Sequence, residues 1–220
     1  MENENDNLDT RNRLLEGAAH VFAEKGFDHA THREICDLAG ANIAAINYYF
    51  GCKEELYREA WKKAFQDLLR RYPADGGVNA DAAPEDRLRG RIRSFILKIC
   101  DPENQAFLIV HKEMAVATKL LQEVMHECIR PLHMEMMSLL REILGPDIPE
   151  KAVSFCMAGV ICQCLGTLRI LQIHQCSDEN GLPIRDFIRE NIEEYIEHVF
   201  QFSLAGIRRT RERYLQDNPS

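Results

Sequence analysis

The sequence predicts an all-α protein with a small N-terminal domain built on three helices and a larger helical C-terminal domain, about nine helices in all. Three observations predict this class. Apolar residues recur at three- and four-residue intervals, capping residues precede those segments, and a Gly-, Ala- and Asp-rich stretch at residues 72–84 separates the two parts. A chain of 220 residues with 45% hydrophobic residues can supply both domains with a core.

The first helix is predicted from residue 9 or 10 to Lys25. Gly26 ends it, because glycine readily adopts the left-handed backbone found beyond many helix C-termini. Its apolar stripe consists of Leu15, Ala18, Ala19 and Phe22. Residues 1–8 are polar, and we expect them to be disordered.

Two short helices joined by a tight turn are predicted next, in the stretch THREICDLAGANIAAINYYFGCKEEL at residues 31–56. Thr31 and Glu34 form a T-x-x-E capping box, and Gly40 ends the helix that they open. Its predicted apolar face is Ile35, Leu38 and Ala39. Asn42 then caps a helix that runs to Phe50. This spacing is typical of a helix-turn-helix, whose second helix normally enters the DNA major groove.

The second helix of the pair has a large-residue face and a small-residue face. The face predicted to contact the core consists of Ile43, Ile46 and Phe50. The predicted outer face consists of Ala41, Ala44, Ala45 and Tyr48. Alanines on the outer face let a helix backbone approach a groove closely, and Asn47 on the flank has the chemistry that pairs with adenine or a phosphate. An ordinary amphipathic helix with a small outer face is the alternative.

Three stretches in register, TRNRLLEGAAHVFAEKGF, THREICDLAGANIAAINYYF and KEELY, carry a resemblance to a known family. Together with Glu24-x-Gly26-Phe27, they resemble the DNA-binding domain of the TetR family of bacterial regulators over residues 10–57. Members of that family are mostly homodimeric repressors that a ligand releases from operator DNA. Asn47 replaces the usual aromatic and Ala44 a frequent glycine, so we expect some operator contacts to differ.

The register of this resemblance implies a set of DNA contacts at the start of the second helix, along the third and at the start of the fourth. The implied residues are His32, Arg33, Asn42, Ala45, Asn47, Tyr48, Tyr49 and Lys53. Among them, Lys53 is expected to hold a phosphate, because a helix N-terminus also favours an anion. The implied partner is double-stranded operator DNA.

The charge balance limits how DNA can be bound. The net charge of the chain is −8, which excludes a general nucleic-acid coat protein. Between residues 8 and 63, eight cationic side chains face nine acidic ones, a net charge of −1. We therefore expect affinity to depend on a few well-placed cations and on helix N-termini, with a modest salt dependence.

Six further helices complete the predicted fold. A fourth helix links the domains, and the stretch after it is expected to be a mobile linker. A proline, Pro131, is expected to interrupt and bend the seventh helix. The predicted fourth to ninth helices cover residues 53–71, 85–99, 103–117, 119–144, 149–173 and 184–211. The predicted domains are therefore a helix-turn-helix domain at 9–71, a C-terminal ligand-binding and dimerisation domain at 84–213 and a tail at 214–220.

The last two long helices are predicted to form a dimer interface. The eighth is apolar nearly all round, so it must be covered on more than one side, and Gly159 and Gly166 allow a close helix approach. Packing of this pair against its copy gives a four-helix interface in a homodimer, which suits paired operator half-sites. Closure of the monomer core alone is the alternative.

The C-terminal part carries a finer resemblance. FLIVHKE at residues 107–113, VMHECIRPLH at residues 124–133 and ANIAAINYYFG resemble the CecR branch of the family, with its CerR-type C-terminal domain. Members of that branch are associated with control of drug-sensitivity and export genes.

The C-terminal helices are expected to enclose a small organic effector, because apolar walls with few polar groups suit such ligands. The candidate lining residues are Phe95, Phe107, His111, Met114, Met125, Met137, Phe155 and Leu165. Each of them also suits a plain core position.

A metal- or thiol-responsive repressor is a second hypothesis. The cysteines and a histidine near the eighth helix are Cys156, Cys162, Cys164, His174 and Cys176, but their spacing fits no familiar zinc site. We therefore predict neither a metal site nor a cofactor, and we expect the eight cysteines to be free thiols.

No catalytic motif stands out, so the sequence predicts that the protein is not an enzyme. The alternative from another class is a helical enzyme or protein-interaction module that keeps the helix-turn-helix only as a scaffold. The polar N-terminus does not resemble a signal peptide, and the uncharged run at residues 152–168 is shorter than the ~20 residues of a membrane span. We expect a cytoplasmic protein.

Overall fold

The structure, a computed structural model, describes the backbone of residues 2–101, 103–113, 118–172, 188 and 190–217, and the side chains of 7–101, 103–110, 118–166, 188 and 190–216. Over these residues the chain forms helices and no strand, which confirms the all-α prediction. The helices are α1 (Glu2–His29), α2 (His32–Ala39), α3 (Ile43–Phe50), α4 (Lys53–Arg71), α5 (Pro84–Cys100), α6 (Gln105–Glu113), α7 (Lys119–Leu144), α8 (Glu150–Gln172) and α9 (Ile192–Asp217).

The chain divides into two compact units. Unit 1 comprises Met1–Arg71 and Glu103–Arg130, and unit 2 comprises Tyr72–Pro102 and Pro131–Ser220. Compared with the predicted domains, residues 103–130 lie with the N-terminal unit and residues 72–83 with the C-terminal one. The chain passes between the units at three places: after Arg71, after Pro102 and inside α7, at the bond before Pro131. That helix continues through Pro131, so the predicted interruption does not end it.

Helix α1 differs from its prediction at one end and agrees at the other. It starts at Glu2, within the segment that we expected to be disordered. A polar segment can extend an existing helix, because propagation costs far less than nucleation. At the other end, Gly26 has a left-handed backbone (φ 76°), which confirms the predicted break.

Aromatic side chains form the centre of unit 1. The rings of Phe22 and Tyr57 meet edge to face, 5.0 Å apart, and Phe27 packs edge-on against the same tyrosine. The indole of Trp61 is buried and donates a hydrogen bond of 3.1 Å to the carbonyl of Ala106 in α6. Helix α1 thereby packs against α2, α4 and α6, and this layer supports the helix-turn-helix.

Helix α5 is the central element of unit 2, packing against α8 and α9. Its residues Leu88, Ile92 and Ile96 are fully buried with apolar residues of α7, α8 and α9. Along α5, every second residue from 87 to 93 is an arginine, and these arginines pair in two directions. Arg87–Glu142 (2.8 Å) and Arg91–Glu135 (3.0 Å) reach α7, whereas Arg89–Glu197 (3.1 Å) and Arg93–Glu193 (2.6 Å) reach α9.

The segment at residues 72–83, predicted to be a mobile linker, is instead folded against α5. The hydroxyl of Ser94 donates a hydrogen bond of 2.5 Å to the carbonyl of Pro73, and Gly76 lies against Gly90 of α5. The two glycines explain the difference. From composition alone they indicate a flexible segment, but in the structure they permit two backbones to approach each other closely.

Among the helices that the structure describes, none is both long and apolar enough to cross a membrane.

Candidate nucleic-acid interface

The predicted capping box opens α2. The hydroxyl oxygen of Thr31 accepts a hydrogen bond from the backbone N–H of Glu34 (3.3 Å), and the carboxylate of Glu34 accepts one from the backbone N–H of Thr31 (3.1 Å). Gly40 ends the helix in the left-handed conformation (φ 61°, ψ 39°), as predicted. In addition, Arg13 of α1 donates a hydrogen bond of 3.0 Å to the carbonyl of Ala39, which satisfies an otherwise free helix-end acceptor.

Asn42 caps α3 as predicted. Its backbone is extended, and its side-chain oxygen accepts a hydrogen bond of 3.0 Å from the N–H of Ala45. The amide oxygen of Asn42 is therefore engaged within the protein. The turn between the helices places α3 directly after α2, and both pack on the same layer.

The outward face of α3 differs from the predicted one. Ile46 and Phe50 are buried as predicted, but Ile43 is 48% exposed. Helices α2 and α4 pack against α3, and on the side of Ala45 and Tyr49 these two residues are half-buried. The exposed stripe therefore consists of Ile43, Ala44, Asn47 and Tyr48. This places Asn47 inside the exposed face instead of on its flank.

A similar correction applies to α2. Leu38, predicted to face the core, is 56% exposed, and Cys36 is buried in its place. Helix α2 has only eight residues, or about two turns, so few apolar residues define its buried face. A single exposed apolar residue can therefore displace the predicted face by one position. Leu38 lines a shallow cavity of about 310 Å³ between α1 and α2, together with Arg13, Glu16, Gly17, His20 and Ala39.

The remaining predicted contact residues lie around this surface. Tyr48 is 74% exposed, and its ring meets that of Tyr49 edge to face at 4.9 Å. At the start of α2, Arg33 is exposed, whereas His32 is half-buried and its Nε2 atom has no hydrogen-bond partner among the described residues. Lys53 opens α4 with its ammonium 4.8 Å from the centre of the Phe27 ring.

Most cations of unit 1 are paired with acids of the same unit. Arg11 pairs with Glu59. The other pairs are Lys25–Glu34 (2.6 Å), Arg58–Glu123 (2.7 Å), Lys62–Glu127 (2.8 Å) and Lys63–Asp67 (2.8 Å). Within the described part of the chain, Lys53 has no such acidic partner.

The pair of Lys25 and Glu34 shifts the titration of both groups. Lys25 donates a hydrogen bond to the carboxylate of Glu34, and this, with two hydrogen bonds from Thr31, lowers the pKa of Glu34 to about 2. The same pair raises the pKa of Lys25. The capping box is thus tied by charge to the end of α1.

The sequence placed Ala44 on the outer face, but it did not indicate Ile43, Leu38 or Arg13 as part of this surface. Ile43 and Leu38 are apolar at helical spacing, so their pattern is the same as that of core residues. Arg13 carried no signal in the sequence, because its carbonyl acceptor lies 26 positions away.

The predicted effector-binding residues lie in several places. Phe95 and Met137 pack against the core of unit 2, whereas Phe107 and Met125 belong to unit 1. Phe155 (72% exposed) and Leu165 lie on the surface of α8. The side chains of His111 and Met114 lie outside the described residues, as do His174 and Cys176.

A groove of about 250 Å³ lies between α8 and α9. It is lined by Phe155, Gly159 and Gln163 of α8 and by Phe202, Gly206 and Tyr214 of α9, among others. Phe202 is 65% exposed, and a Cβ atom added to Gly159 or Gly206 would meet no atom within 4 Å. This face of unit 2 is therefore shallow and largely apolar, with polar side chains such as Gln163 and Arg213 in its lining, and its glycines leave room for close contact.

Two family models match the chain. One describes the C-terminal domain of the HTH-type transcriptional dual regulator CecR and matches residues 84–207, more than half of the chain. The other describes bacterial regulatory proteins of the tetR family and matches residues 14–60, which include α2 and α3.

Two curated relatives illustrate the similarity. The HTH-type transcriptional dual regulator CecR of Shigella flexneri is 32% identical over 148 residues, 62% of this chain and 66% of that protein. The HTH-type transcriptional repressor NicS of Pseudomonas putida is 29% identical over 142 residues, 61% of each chain. The chain therefore spans less than two thirds of the length of these relatives.

Solved structures share the fold. A Clostridium perfringens regulator superposes with a TM-score of 0.66 over 88% of this chain and 97% of its own, at 15% identity. A transcriptional regulator from Rhodococcus sp. Rha1 gives a TM-score of 0.61 over 90% and 95%, at 20% identity. At these identities the comparison concerns the fold alone.

Replacing Glu34 by Gln should make the stability of unit 1 less dependent on pH. The pKa of Glu34 is lower in the folded protein than its ordinary value of 4.5, so the stabilisation by Lys25 is complete above pH 4.5 and is lost as the pH falls toward 2. Urea unfolding followed by fluorescence of Trp61, the sole tryptophan, should show a wild-type advantage at pH 7 that shrinks between pH 4.5 and 2.

Lys25→Met is the matched variant and should lose only part of this pH dependence, because it removes the ion pair but leaves the two hydrogen bonds from Thr31 to the Glu34 carboxylate. A difference between wild type and Glu34→Gln that stays constant from pH 7 to pH 2 would contradict this assignment.

Proposed function

Because this chain belongs to the TetR family of bacterial regulators and carries a CecR-type C-terminal domain, we propose that it is a dimeric, sequence-specific repressor released from its operator by a small organic ligand. The observation that carries the proposal is the exposed stripe of α3, which a helix-turn-helix presents to the major groove. Operator DNA in a bacterium lies in the cytoplasm, and we propose that the protein acts there.

The chemistry of the stripe suits base recognition. Ile43 and Ala44 are apolar and would contact thymine methyl groups, whereas the amide of Asn47 can both donate to and accept from adenine. Tyr48 projects beside them, and its hydroxyl can donate to a phosphate or a base. The half-buried Ala45 and Tyr49 then contribute less than the resemblance implied.

Phosphate contacts position this stripe. Lys53 lies at the first turn of α4, where the unpaired backbone N–H groups of the helix also favour an anion. Arg33 is exposed at the first turn of α2, with Asp37 3.9 Å away. Two such cations, in a unit whose other charges are largely paired, give binding with a modest salt dependence.

The groove between α8 and α9 supports a homodimer. Phe155 and Phe202 would lose their exposure to water if a second copy covered them, and Gly159 and Gly206 would allow close approach of its helices. A two-fold axis at this face pairs two helix-turn-helix units, as paired half-sites require. In this arrangement Phe155 and Leu165 belong to the interface and not to an effector pocket.

An effector site in the C-terminal domain is supported by the family and by the remaining apolar residues. Phe95 and Met137 are half-buried against the core of unit 2, where small shifts can admit an apolar molecule. We propose an uncharged or weakly polar organic effector, with His111 and Met114 still predicted to contribute.

Two alternatives have weaker support. Burial raises the pKa of Cys164 to about 12 and also raises the pKa of Cys156, so both are held as neutral thiols that are poor metal ligands and nucleophiles. The described residues contain no group of ligands for a metal ion. The matched relatives are transcriptional regulators, and we propose no enzymatic activity for the chain.

A gel-shift experiment tests the proposal directly. The full-length protein should bind the DNA upstream of its own gene at least about a hundredfold more tightly than a random fragment of equal length. Candidate organic effectors should weaken the complex. A chelator or peroxide, each added in a separate experiment, should leave it unchanged. Equal binding to both fragments would contradict a sequence-specific regulator, and release by chelator or peroxide would favour the sensor alternatives.

Asn47→Ala and Lys53→Ala should affect binding differently. Loss of the Asn47 amide should cost about 1–3 kcal/mol of discrimination at one base pair, because a base contact carries sequence information. Loss of Lys53 should weaken binding to specific and random DNA alike and reduce the salt slope by about 1. Fluorescence anisotropy at several salt concentrations measures both.

Lys62→Ala is the control for Lys53→Ala. Lys62 lies on α4, as Lys53 does, but its ammonium is already paired with Glu127 of α7 at 2.8 Å. It should leave the salt slope nearly unchanged. Uniform loss on all sequences for Asn47→Ala would show instead that Asn47 contacts the backbone.

Phe202→Asp should convert the dimer into a monomer. A carboxylate on this face would have to be desolvated without a partner on dimerisation, at a cost of several kcal/mol. Light scattering coupled to size-exclusion chromatography should show the mass halved, with the helical CD spectrum retained. Met134→Asp is the control, since Met134 is 61% exposed on α7, outside the groove. A dimer that survives Phe202→Asp would place the interface elsewhere.

A further inference from the structure

Helices α8 and α9 run in opposite directions with a fixed register. The hydroxyl of Ser203 on α9 donates a hydrogen bond of 3.1 Å to the side-chain oxygen of Gln163 on α8. The Cys156 thiol and the Thr210 hydroxyl form a second hydrogen bond between the same two helices. From the second bond to the first, the chain advances along α8 (156 to 163) and goes back along α9 (210 to 203), so the helices are antiparallel.

The outer side of this helix pair is a continuous stripe of exposed large, small and charged residues, which we call the α8–α9 face. Its members recur at three- and four-residue intervals, as residues on one side of a helix do. They are Phe155, Ala158, Gly159, Cys162 and Leu165 on α8, and Glu194, His198, Phe202, Ala205, Gly206, Arg209 and Arg213 on α9.

Large and small residues on α9 are arranged symmetrically about Leu204. Phe202 is 65% exposed and comes two residues before it, whereas Gly206 comes two residues after it and has open space at its Cβ position. A two-fold axis perpendicular to α9 at this level would place Phe202 of each copy over Gly206 of the other. Such an exchange, in which the first residue contacts the second in both directions, is what a two-fold interface requires.

The same axis meets α8 at Cys162. This cysteine comes one residue before Gln163, and Leu204 comes one residue after Ser203, so the hydrogen bond between Gln163 and Ser203 places Cys162 and Leu204 at one level. Ala158 and Leu165 lie on the same side of α8, before and after Cys162. Leu165 of one copy would therefore face Ala158 of the other, and Cys162 would lie beside its own copy.

The charges at the two ends of the α8–α9 face complement each other about this axis. Glu194 and Arg213 are exposed and lie at nearly equal distances before and after Leu204. Antiparallel packing of α9 against its copy brings Glu194 of one chain toward Arg213 of the other, whereas parallel packing would bring like charges together. Size and charge thus favour the same arrangement.

We propose that two copies of this chain pack their α8–α9 faces antiparallel about a two-fold axis at the level of Cys162 and Leu204. The proposal rests on the homodimer of the proposed function and adds the register of its interface. A second copy is the partner that this face fits, because its large and small residues and its charges are complementary to themselves. An unrelated partner would require no such symmetry.

Cys162 provides a direct test of the register. Diamide oxidises two neighbouring thiols to a disulfide and takes up their two hydrogens. At about 10 μM protein, wild type and Cys52→Ser should form a covalent dimer about a hundredfold faster than Cys162→Ser, because thiols held together have an effective concentration near the millimolar range. Cys52 is the control, since it is the other exposed cysteine in the part of the chain that the structure describes. Non-reducing gels measure the rates.

Reversal of the charges tests the antiparallel arrangement. Glu194→Arg and Arg213→Glu should each weaken the dimer about tenfold, because each change replaces an attraction by a repulsion at two symmetric contacts. The double variant restores opposite charges, so its dissociation constant should return to within about threefold of wild type. A dilution series followed by light scattering measures the dissociation constants.

Arg211→Glu is the matched control for Arg213→Glu. Arg211 is exposed at the same end of α9 but on the opposite side of the helix, so the same change of charge should leave the dimer unaffected. The helical CD spectrum confirms that each variant is folded.

Cross-linking at the same rate with and without Cys162 would overturn this register, as would a double variant that stays as weak as the single ones. If wild type were a monomer in light scattering, the proposed homodimer and the register would both fail. A wild-type dimer that the charge reversals leave unchanged would refute the register alone.

Discussion

Burial of Ile46 and Phe50 determines which side of α3 faces outward. An eight-residue helix is too short to be stable alone, so its rotation must come from side chains anchored in the layer below it. Full burial of each anchor contributes about 1.5–3 kcal/mol, which exceeds any preference among the small residues on the other side. Ile43 is exposed for the same reason, since the two anchors and not its own hydrophobicity set the rotation.

The features that were predicted from the sequence are those with local causes. The caps at Thr31 and Asn42 and the end at Gly40 depend on residues at most three or four positions apart, and the structure reproduces them. The features that were missed depend on distant partners. The exposure of Leu38 and Ile43 is decided by which helices cover α2 and α3. Residues 72–83 pack on α5 because Gly90, fourteen residues after Gly76, lacks a side chain.

The distribution of charge explains how residues 8–63, with a net charge of −1, can suit DNA. Acids such as Glu59, Glu123 and Glu127 neutralise cations on the sides of α1 and α4. Exposed pairs of this kind contribute little stability, roughly 0–1 kcal/mol each, but they remove competing positive charge from the rest of the surface. In the proposed complex with DNA, Lys53 at the start of α4 then has a larger influence on where a phosphate binds.

Helix α5 connects the apolar core of unit 2 to its ion pairs. On a helical wheel its buried apolar residues, such as Ile92, occupy one side, and Gly90 and Ser94 lie opposite, against residues 72–83. The two rows of arginines lie on the flanks between these sides, one pairing with α7 and the other with α9. A rotation of α5 would therefore disturb its contact with residues 72–83 and both rows of ion pairs together.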